Sequence, residues 1–105
     1  MKYENIGENN RNTTITIGTT ATKICERLPL GIRKVLVIGN QSLAGQIATL
    51  GIGGAVAANN GINVLVGGKW VESIDSRFEP TNEEIWAIGT AADTILTIYE
   101  RLAVV

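Results

Sequence analysis

The 105-residue sequence contains no histidine, and Cys25 is its only cysteine. Without histidine the chain lacks the usual acid/base side chain near neutral pH, and Ser-His or Cys-His nucleophile pairs cannot form. Most transition-metal sites need clustered His or Cys ligands and are excluded as well. A lone cysteine allows no disulfide within the chain. We interpret Cys25 as a small, half-buried side chain, and we expect no enzymatic activity, no cofactor and no metal.

The sequence also has no marked excess of positively or negatively charged residues. Nine Lys and Arg residues against ten Asp and Glu residues give a formal net charge of −1. Such a chain has no basic footprint for nucleic acid and no polybasic patch for anionic lipid. Its beginning lacks the apolar segment of a signal peptide or membrane anchor. We therefore expect neither nucleic acid nor a membrane as partner, and we expect folding in a reducing cytoplasm.

Length and composition predict one domain with a polar arm. The chain is 45% hydrophobic, which at this length supports a single core. Residues 1–12 are polar and rich in Asn, and Tyr3 and Ile6 are their only candidate anchors. We interpret this segment as an extended arm that packs on its own domain or on a neighbouring subunit. Residues 13–105 are predicted to form the folded domain.

β-Branched alternation and frequent turn signals predict an all-β fold. Residues 13–17 read TTITI, a pattern that favours a strand with one buried face. Residues 33–38 read RKVLVI, an apolar run typical of a central strand covered on both faces. Turn signals recur roughly every 8 to 12 residues, as in an antiparallel sandwich or flattened barrel of about eight short strands. The other strands are predicted at residues 20–27, 46–50, 55–57, 62–66, 69–73, 84–88 and 94–100.

Two turn signals flank a short apolar alternation in the middle of the chain, where residues 59–68 read NNGINVLVGG. Asn60-Gly61 predicts a two-residue type I′ hairpin turn, because these residue types tolerate the positive φ that this turn requires. Gly67 and Gly68 are predicted to form the next turn, after one strand.

Residues 35–54 combine an apolar strand with several glycines, which is similar in outline to a dinucleotide-binding loop. That loop needs its glycines directly after the strand, whereas only Gly39 lies there and Gly45 is six residues further on. No acidic residue follows the next strand to hold a ribose. We prefer bends in β structure and keep a small α/β nucleotide-binding protein as an alternative.

The two tryptophans are the side chains best suited to anchor a partner. Trp86 lies in an apolar segment and is predicted to be in the core. Trp70 lies between charged residues and is a candidate interaction residue, together with Tyr3 and Ile6. Carboxylates cluster between residues 75 and 84 without the register of a calcium loop, so we predict a solvated loop there. A carbohydrate-binding module stays open as a further alternative, which would require Trp70 to be exposed beside this loop.

Five segments occur in an order that is more distinctive than the sequence of any one of them. They are residues 18–22 (GTTAT), 33–42 (RKVLVIGNQS), 60–68 (NGINVLVGG), 85–88 (IWAI) and 94–100 (TILTIYE). This order resembles the small β-sandwich virion structural proteins of tailed bacteriophages and related viruses. Members of that family serve as head decoration, head-fibre, neck or tail accessory domains. At residues 49–53 (TLGIG) the chain departs from the family pattern of an aromatic residue followed by Ile-Gly.

The resemblance implies a non-enzymatic virion component that is assembled in the host cytoplasm. A capsid decoration or cementing protein fits best, with the major capsid protein, other virion proteins and further copies of itself as partners. A tail or neck accessory domain is the alternative. The resemblance also implies scaffold roles for Arg33, Asn40, Ser42, Asn60 and Gly61.

Overall fold

The structure is a computed structural model that describes residues 8–29, 31–73 and 80–103. Within these ranges the chain forms eight β-strands and no helix, as predicted for an all-β domain, so the α/β fold of the nucleotide-binding alternative is wrong. No segment in the same ranges is a helix that could cross a membrane. The strands are β1 (Glu8–Ile17), β2 (Thr22–Cys25), β3 (Arg33–Asn40), β4 (Ala48–Ile52), β5 (Ile62–Val64), β6 (Lys69–Ser73), β7 (Ile85–Gly89) and β8 (Thr94–Ala103).

The strands form two antiparallel four-stranded sheets. Sheet I has the order β1-β8-β3-β6, and sheet II has the order β2-β7-β4-β5. The first strand pairs with the last, the second with the seventh, the third with the sixth and the fourth with the fifth. The chain is thus one long antiparallel ribbon, and coiling it brings β8 against β3 and β7 against β4. This is the strand order of an eight-stranded jelly roll.

The core lies between the two sheets. On β3, Leu36 and Ile38 point inward and are fully buried, whereas Val35 and Val37 on the outer face are half-buried. The prediction that β3 is covered on both faces is therefore wrong, because no layer lies over the outer face of sheet I among the elements described. The buried apolar residues are Ile17, Ile24, Cys25, Leu36, Ile38, Ala48, Leu50, Val64, Ile85, Ala87, Leu96 and Ile98.

Strand β1 begins at Glu8 rather than at Thr13, so residues 8–12 of the predicted arm belong to the sheet. These residues continue the β1 register against β8, with Arg11 opposite Glu100. Asn-rich composition disfavours a strand, but the long partner strand and the Arg11–Glu100 ion pair stabilise one here. Residues 1–7, which include Tyr3 and Ile6, lie outside the described residues.

The β4–β5 connection differs from the predicted turn. Asn60 and Gly61 lie in it, but neither has a positive φ, so they do not form a type I′ turn. The connection runs through residues 53–61, and the strand predicted at residues 55–57 is absent from it. Gly61 is required for another reason: a Cβ there would overlap the carbonyl oxygen of Leu50 and would lie 2.9 Å from Val56 Cγ2.

The Gly61→Ala variant is expected to lower the free energy of unfolding by about 1–3 kcal/mol, because a backbone atom lies where the new methyl group must fit. Urea titration followed by tryptophan fluorescence measures this change. Gly54→Ala in the same connection is the matched control, since no heavy atom lies within 4 Å of its added Cβ. Unfolding curves of equal midpoint for the two variants would contradict the close approach at Gly61.

Gly67 and Gly68 form a tight turn before β6. The Gly68 N–H donates to the Leu65 carbonyl at 2.7 Å, and Gly67 has a φ of 80°. A left-handed residue at the third position is typical of a type II turn, where glycine is favoured. This turn places the end of sheet II next to the start of β6 in sheet I.

Candidate interaction surfaces

A buried ion-pair cluster occupies one end of the sandwich. Arg33 is 1% exposed, and its Nε donates to Glu100 Oε2 at 2.8 Å. Arg11 Nε donates to the other carboxylate oxygen of Glu100 at 2.6 Å. The guanidinium of Arg33 also donates to backbone carbonyls of three residues outside the strands, Glu26, Thr81 and Glu83. Because every charged group here has partners, the cluster stabilises the fold and offers no free group for chemistry.

The thiol of Cys25 lies beside this cluster, with its Sγ 3.5 Å from an Arg11 guanidinium nitrogen. Burial raises the pKa of Cys25 to about 11, and the Glu100 carboxylate acts in the same direction, against the two arginines. Burial lowers the pKa of Arg11, but its hydrogen bond and its attraction to Glu100 outweigh this, so that pKa is raised. Cys25 is fully buried rather than half-buried, and its thiol is inert.

Cys25 in the folded protein is expected to react with N-ethylmaleimide at pH 8 at least about 100-fold more slowly than in the unfolded chain. A pKa of about 11 instead of 9.0 reduces the thiolate fraction by this factor, and burial slows the reaction further. Mass spectrometry of the adduct over time measures the rate, with the chain in concentrated guanidinium chloride as control. Equal rates in the two conditions would contradict an inert thiol.

A second polar network lies at the opposite end of β3. Asn40 is fully buried, and its Nδ2 donates to the carbonyls of Gln46 at 2.9 Å and Val64 at 2.8 Å. Its Oδ1 accepts from the Ser42 N–H at 3.0 Å. Its backbone carbonyl also accepts from the Gly67 N–H, in the β5–β6 turn. Asn40 therefore fixes the β3–β4 loop and the β5–β6 turn to one another.

These two fixed segments carry three exposed apolar side chains. Leu43 in the β3–β4 loop is 89% exposed, and Leu65 and Val66 in the β5–β6 turn are 60% and 42% exposed. Since Asn40 bonds to both segments, the three residues lie at the same end of the sandwich. We call Leu43, Leu65 and Val66 the apolar tip. Exposed apolar side chains at one end of a domain are a candidate surface for protein–protein contact.

The sequence prediction missed the apolar tip, although one signal for it was available. Leu65 and Val66 are adjacent in a segment that otherwise alternates, and adjacent residues of a strand face opposite sides. If the strand continued through both residues, one of them would point to solvent. If the strand ended before them, neither would be held on the core face. The strand ends at Val64, and both residues are exposed.

Trp86 is not in the core, where it was predicted to be, whereas Trp70, the candidate interaction residue, faces the core. Trp86 lies on the outer face of sheet II, because its neighbours Ile85 and Ala87 take the buried positions of β7. Its Nε1 donates to Glu84 Oε2 at 2.7 Å. Trp70 points inward opposite Ile38 and packs against the core, half-buried. The carbohydrate-binding alternative required an exposed Trp70, and this placement does not support it.

The predicted acidic loop is only partly described, because residues 74–79 lie outside the described ranges. Of its remaining carboxylates, Glu83 pairs with Arg27 at 3.4 Å, and Glu84 accepts the bond from Trp86. Among residues 8–29, 31–73 and 80–103, no three His, Cys, Asp or Glu residues are grouped so as to hold a metal ion.

The four sheet edges differ in how open they are to another strand. Strand β2 is four residues long with an irregular register, β5 has three residues, and β6 has five and carries Lys69. Strand β1 has ten residues, and its register against β8 is unbroken. Short length, bulges and lysines are common protections of sheet edges, and β1 has none of these three. The charge it does carry among its described side chains, Arg11, points inward and pairs with Glu100. We call the side of β1 that faces away from β8 the free edge.

Comparison with protein-family models, with curated proteins and with solved structures found no match to this chain. The interpretation of its function therefore depends on the two surfaces described above, the apolar tip and the free edge.

Proposed function

We propose that this chain is a non-enzymatic structural component of a virion, a decoration or cementing protein that binds capsid subunits through its apolar tip. The jelly-roll fold is compatible with this role but does not define it, since such folds serve many functions. The observation that carries the proposal is the apolar tip itself, a group of large apolar side chains that a buried hydrogen-bond network holds in solvent.

The physical basis of this binding is burial of apolar surface. A net charge of −1 gives little electrostatic attraction to a partner, so affinity has to come from area removed from water. The Asn40 hydrogen bonds fix the supporting loops before binding, which reduces the entropy lost on docking. A small rigid domain of this kind adds interface area to a shell without chemistry.

The direct test uses particles purified by density gradient from the source of this sequence. The chain is expected in the particle fraction, as quantified by mass spectrometry against the major capsid protein. A large copy number indicates decoration of the shell, and the small number of a ring indicates the tail or neck alternative. Absence from the particle fraction would overturn the virion assignment.

A variant pair tests the role of the apolar tip. Leu65→Asp is expected to reduce binding of the recombinant chain to particles that lack it at least about 10-fold, with the melting temperature unchanged. Val71→Asp is the matched control, because Val71 is 50% exposed on the outer face of β6, outside the tip. Equal binding of the two variants would reject the tip as the docking surface.

A further inference from the structure

We propose that the free edge of β1 pairs with the same edge of a second copy of this chain, which joins two copies of sheet I into one continuous eight-stranded antiparallel sheet. This inference concerns a surface separate from the apolar tip, and it holds whether or not the proposed function does. It rests on the direction of backbone groups in β1, on the protection of the other edges and on the residue types of β1.

The hydrogen-bond pattern shows which β1 residues direct their backbone groups away from β8. The Gln41 N–H donates to the Ile95 carbonyl. The backbone N–H and C=O groups of Ile95 and of the odd-numbered residues after it in β8 therefore point towards β3. The even-numbered residues of β8 then face β1, and the register assigns Arg11, Thr13, Ile15 and Ile17 as their bonded partners. The intervening residues direct their N–H and C=O groups away from the sheet; they are Asn10, Asn12, Thr14 and Thr16.

These same four residues have their side chains on the outer face and exposed. None is charged, so a second strand meets no electrostatic barrier there. The one cation in this part of β1, Arg11, points to the inner side, where Glu100 holds it at 2.6 Å. Among the described residues, the free edge therefore presents a row of backbone groups that β8 does not use, beside small, uncharged side chains, which is the arrangement that strand addition uses.

A second copy fits this edge because antiparallel pairing of β1 with itself is two-fold symmetric. A two-fold axis at Thr13 places Asn10 opposite Thr16 of the second copy, and Asn12 opposite Thr14. Every edge-facing pair then joins an amide side chain to a hydroxyl side chain, and no like charges meet. About eight backbone hydrogen bonds form between the two copies in this register.

The Thr14→Pro variant tests the inference by sedimentation velocity over a range of concentrations. The full-length chain is expected to form a dimer. Proline at position 14 removes an edge-facing N–H that β8 does not use, and edge strands tolerate it there. The dimer dissociation constant is expected to rise at least about 100-fold, with the β-sheet circular dichroism of the monomer retained. Thr14→Ala keeps the N–H and is the matched control, which should remain dimeric.

Hydrogen exchange provides a second readout that needs no variant. The amides of Asn12 and Thr14 are expected to exchange rapidly in dilute solution and to become protected as the concentration rises through the dimerisation range. Amides of Thr13 and Ile15, which bond to β8, should be protected at all concentrations.

Three results would overturn the inference. They are a chain that stays monomeric at every concentration, a dimer whose dissociation constant is the same in Thr14→Pro and Thr14→Ala, and exchange at Asn12 and Thr14 that is independent of concentration. Deleting residues 1–7 leaves β1 intact; if this deletion abolishes the dimer while Thr14→Pro does not, the dimer forms through the N-terminal segment instead. A monomeric chain that binds particles would reject the free-edge dimer and leave the proposed function standing.

Discussion

Replacing Arg33 by methionine is expected to lower the free energy of unfolding by about 3–5 kcal/mol, the usual cost of removing one partner from a buried ion pair. Methionine fills much of the same space, so the loss comes from charge and hydrogen bonds rather than from a cavity. The carboxylate of Glu100 is 3% exposed and would keep only Arg11 as a cationic partner. Backbone carbonyls of Glu26, Thr81 and Glu83 would lose their donor as well.

Urea unfolding followed by tryptophan fluorescence measures this loss, and Arg27→Met provides the control. Arg27 also pairs with a carboxylate, Glu83 at 3.4 Å, but its side chain is 72% exposed. An exposed pair of this kind contributes about 0–1 kcal/mol, because water screens it and both side chains lose freedom. An equal loss of stability in the two variants would show that the buried Arg33–Glu100 pair contributes no more to stability than the exposed Arg27–Glu83 pair.

The strand pattern was largely predictable because it is local. Strand β6 was predicted at residues 69–73 and occupies them, and the alternating TTITI segment forms the second half of β1. Both depend on side chains that alternate between a buried and an exposed face, a property of neighbouring residues. The order of strands in the two sheets depends on contacts between distant parts of the chain, and no pattern within one segment contains it.

The errors fall where tertiary contacts override local preference. Residues 8–12 have a poor composition for a strand, yet β8 offers them a partner of equal length. Asn60-Gly61 has the composition of a type I′ turn, but Gly61 is needed for its close approach to Leu50. Trp86 and Trp70 were assigned from the polarity of their neighbours, whereas the register of each strand decides which faces the core.

The burial of two polar residues also depends on tertiary contacts that the local sequence does not reveal. Arg33 and Asn40 stand at the two ends of an apolar run, where polar residues are usually exposed. The resemblance implied scaffold roles for both, and the structure supplies the physical reason. Arg33 bonds to the carbonyl of Thr81 in the loop before β7, and Asn40 bonds to the carbonyl of Val64 in β5. These partners are distant in the sequence and cannot be predicted from the residues next to Arg33 and Asn40.

Replacing Asn40 by aspartate is expected to lower the free energy of unfolding by about 3–5 kcal/mol at pH 7, although the two side chains have nearly the same shape. The Nδ2 group of Asn40 donates to two buried carbonyl oxygens, those of Gln46 and Val64. An ionised carboxylate would place a negative charge against both oxygens in a site without solvent. The aspartate would keep an oxygen that accepts from the Ser42 N–H. The loss of stability therefore comes from replacing the Nδ2 donor group by a second carboxylate oxygen.

This loss is expected to depend on pH in a defined direction. Burial beside two carbonyls favours the protonated form, so the new carboxyl group has a higher pKa in the folded state than its unfolded value of about 3.9. Below the unfolded pKa the carboxyl group is protonated in both the folded and the unfolded state, and the stability of the variant should be closest to that of the wild type. As the pH rises through the folded pKa, the loss of stability should grow to its full size. Urea titrations of both proteins from pH 3 to pH 8 measure the difference.

Asn63→Asp is the matched control, since Asn63 is exposed and its Oδ1 already acts as an acceptor, from the Thr49 hydroxyl at 2.7 Å. Its change in the free energy of unfolding should stay within about 0.5 kcal/mol at every pH. A deficit in Asn40→Asp that does not vary with pH would mean that shape rather than charge is at fault. A pH-dependent deficit would show that the charge of the side chain at position 40, rather than its shape, causes the loss of stability.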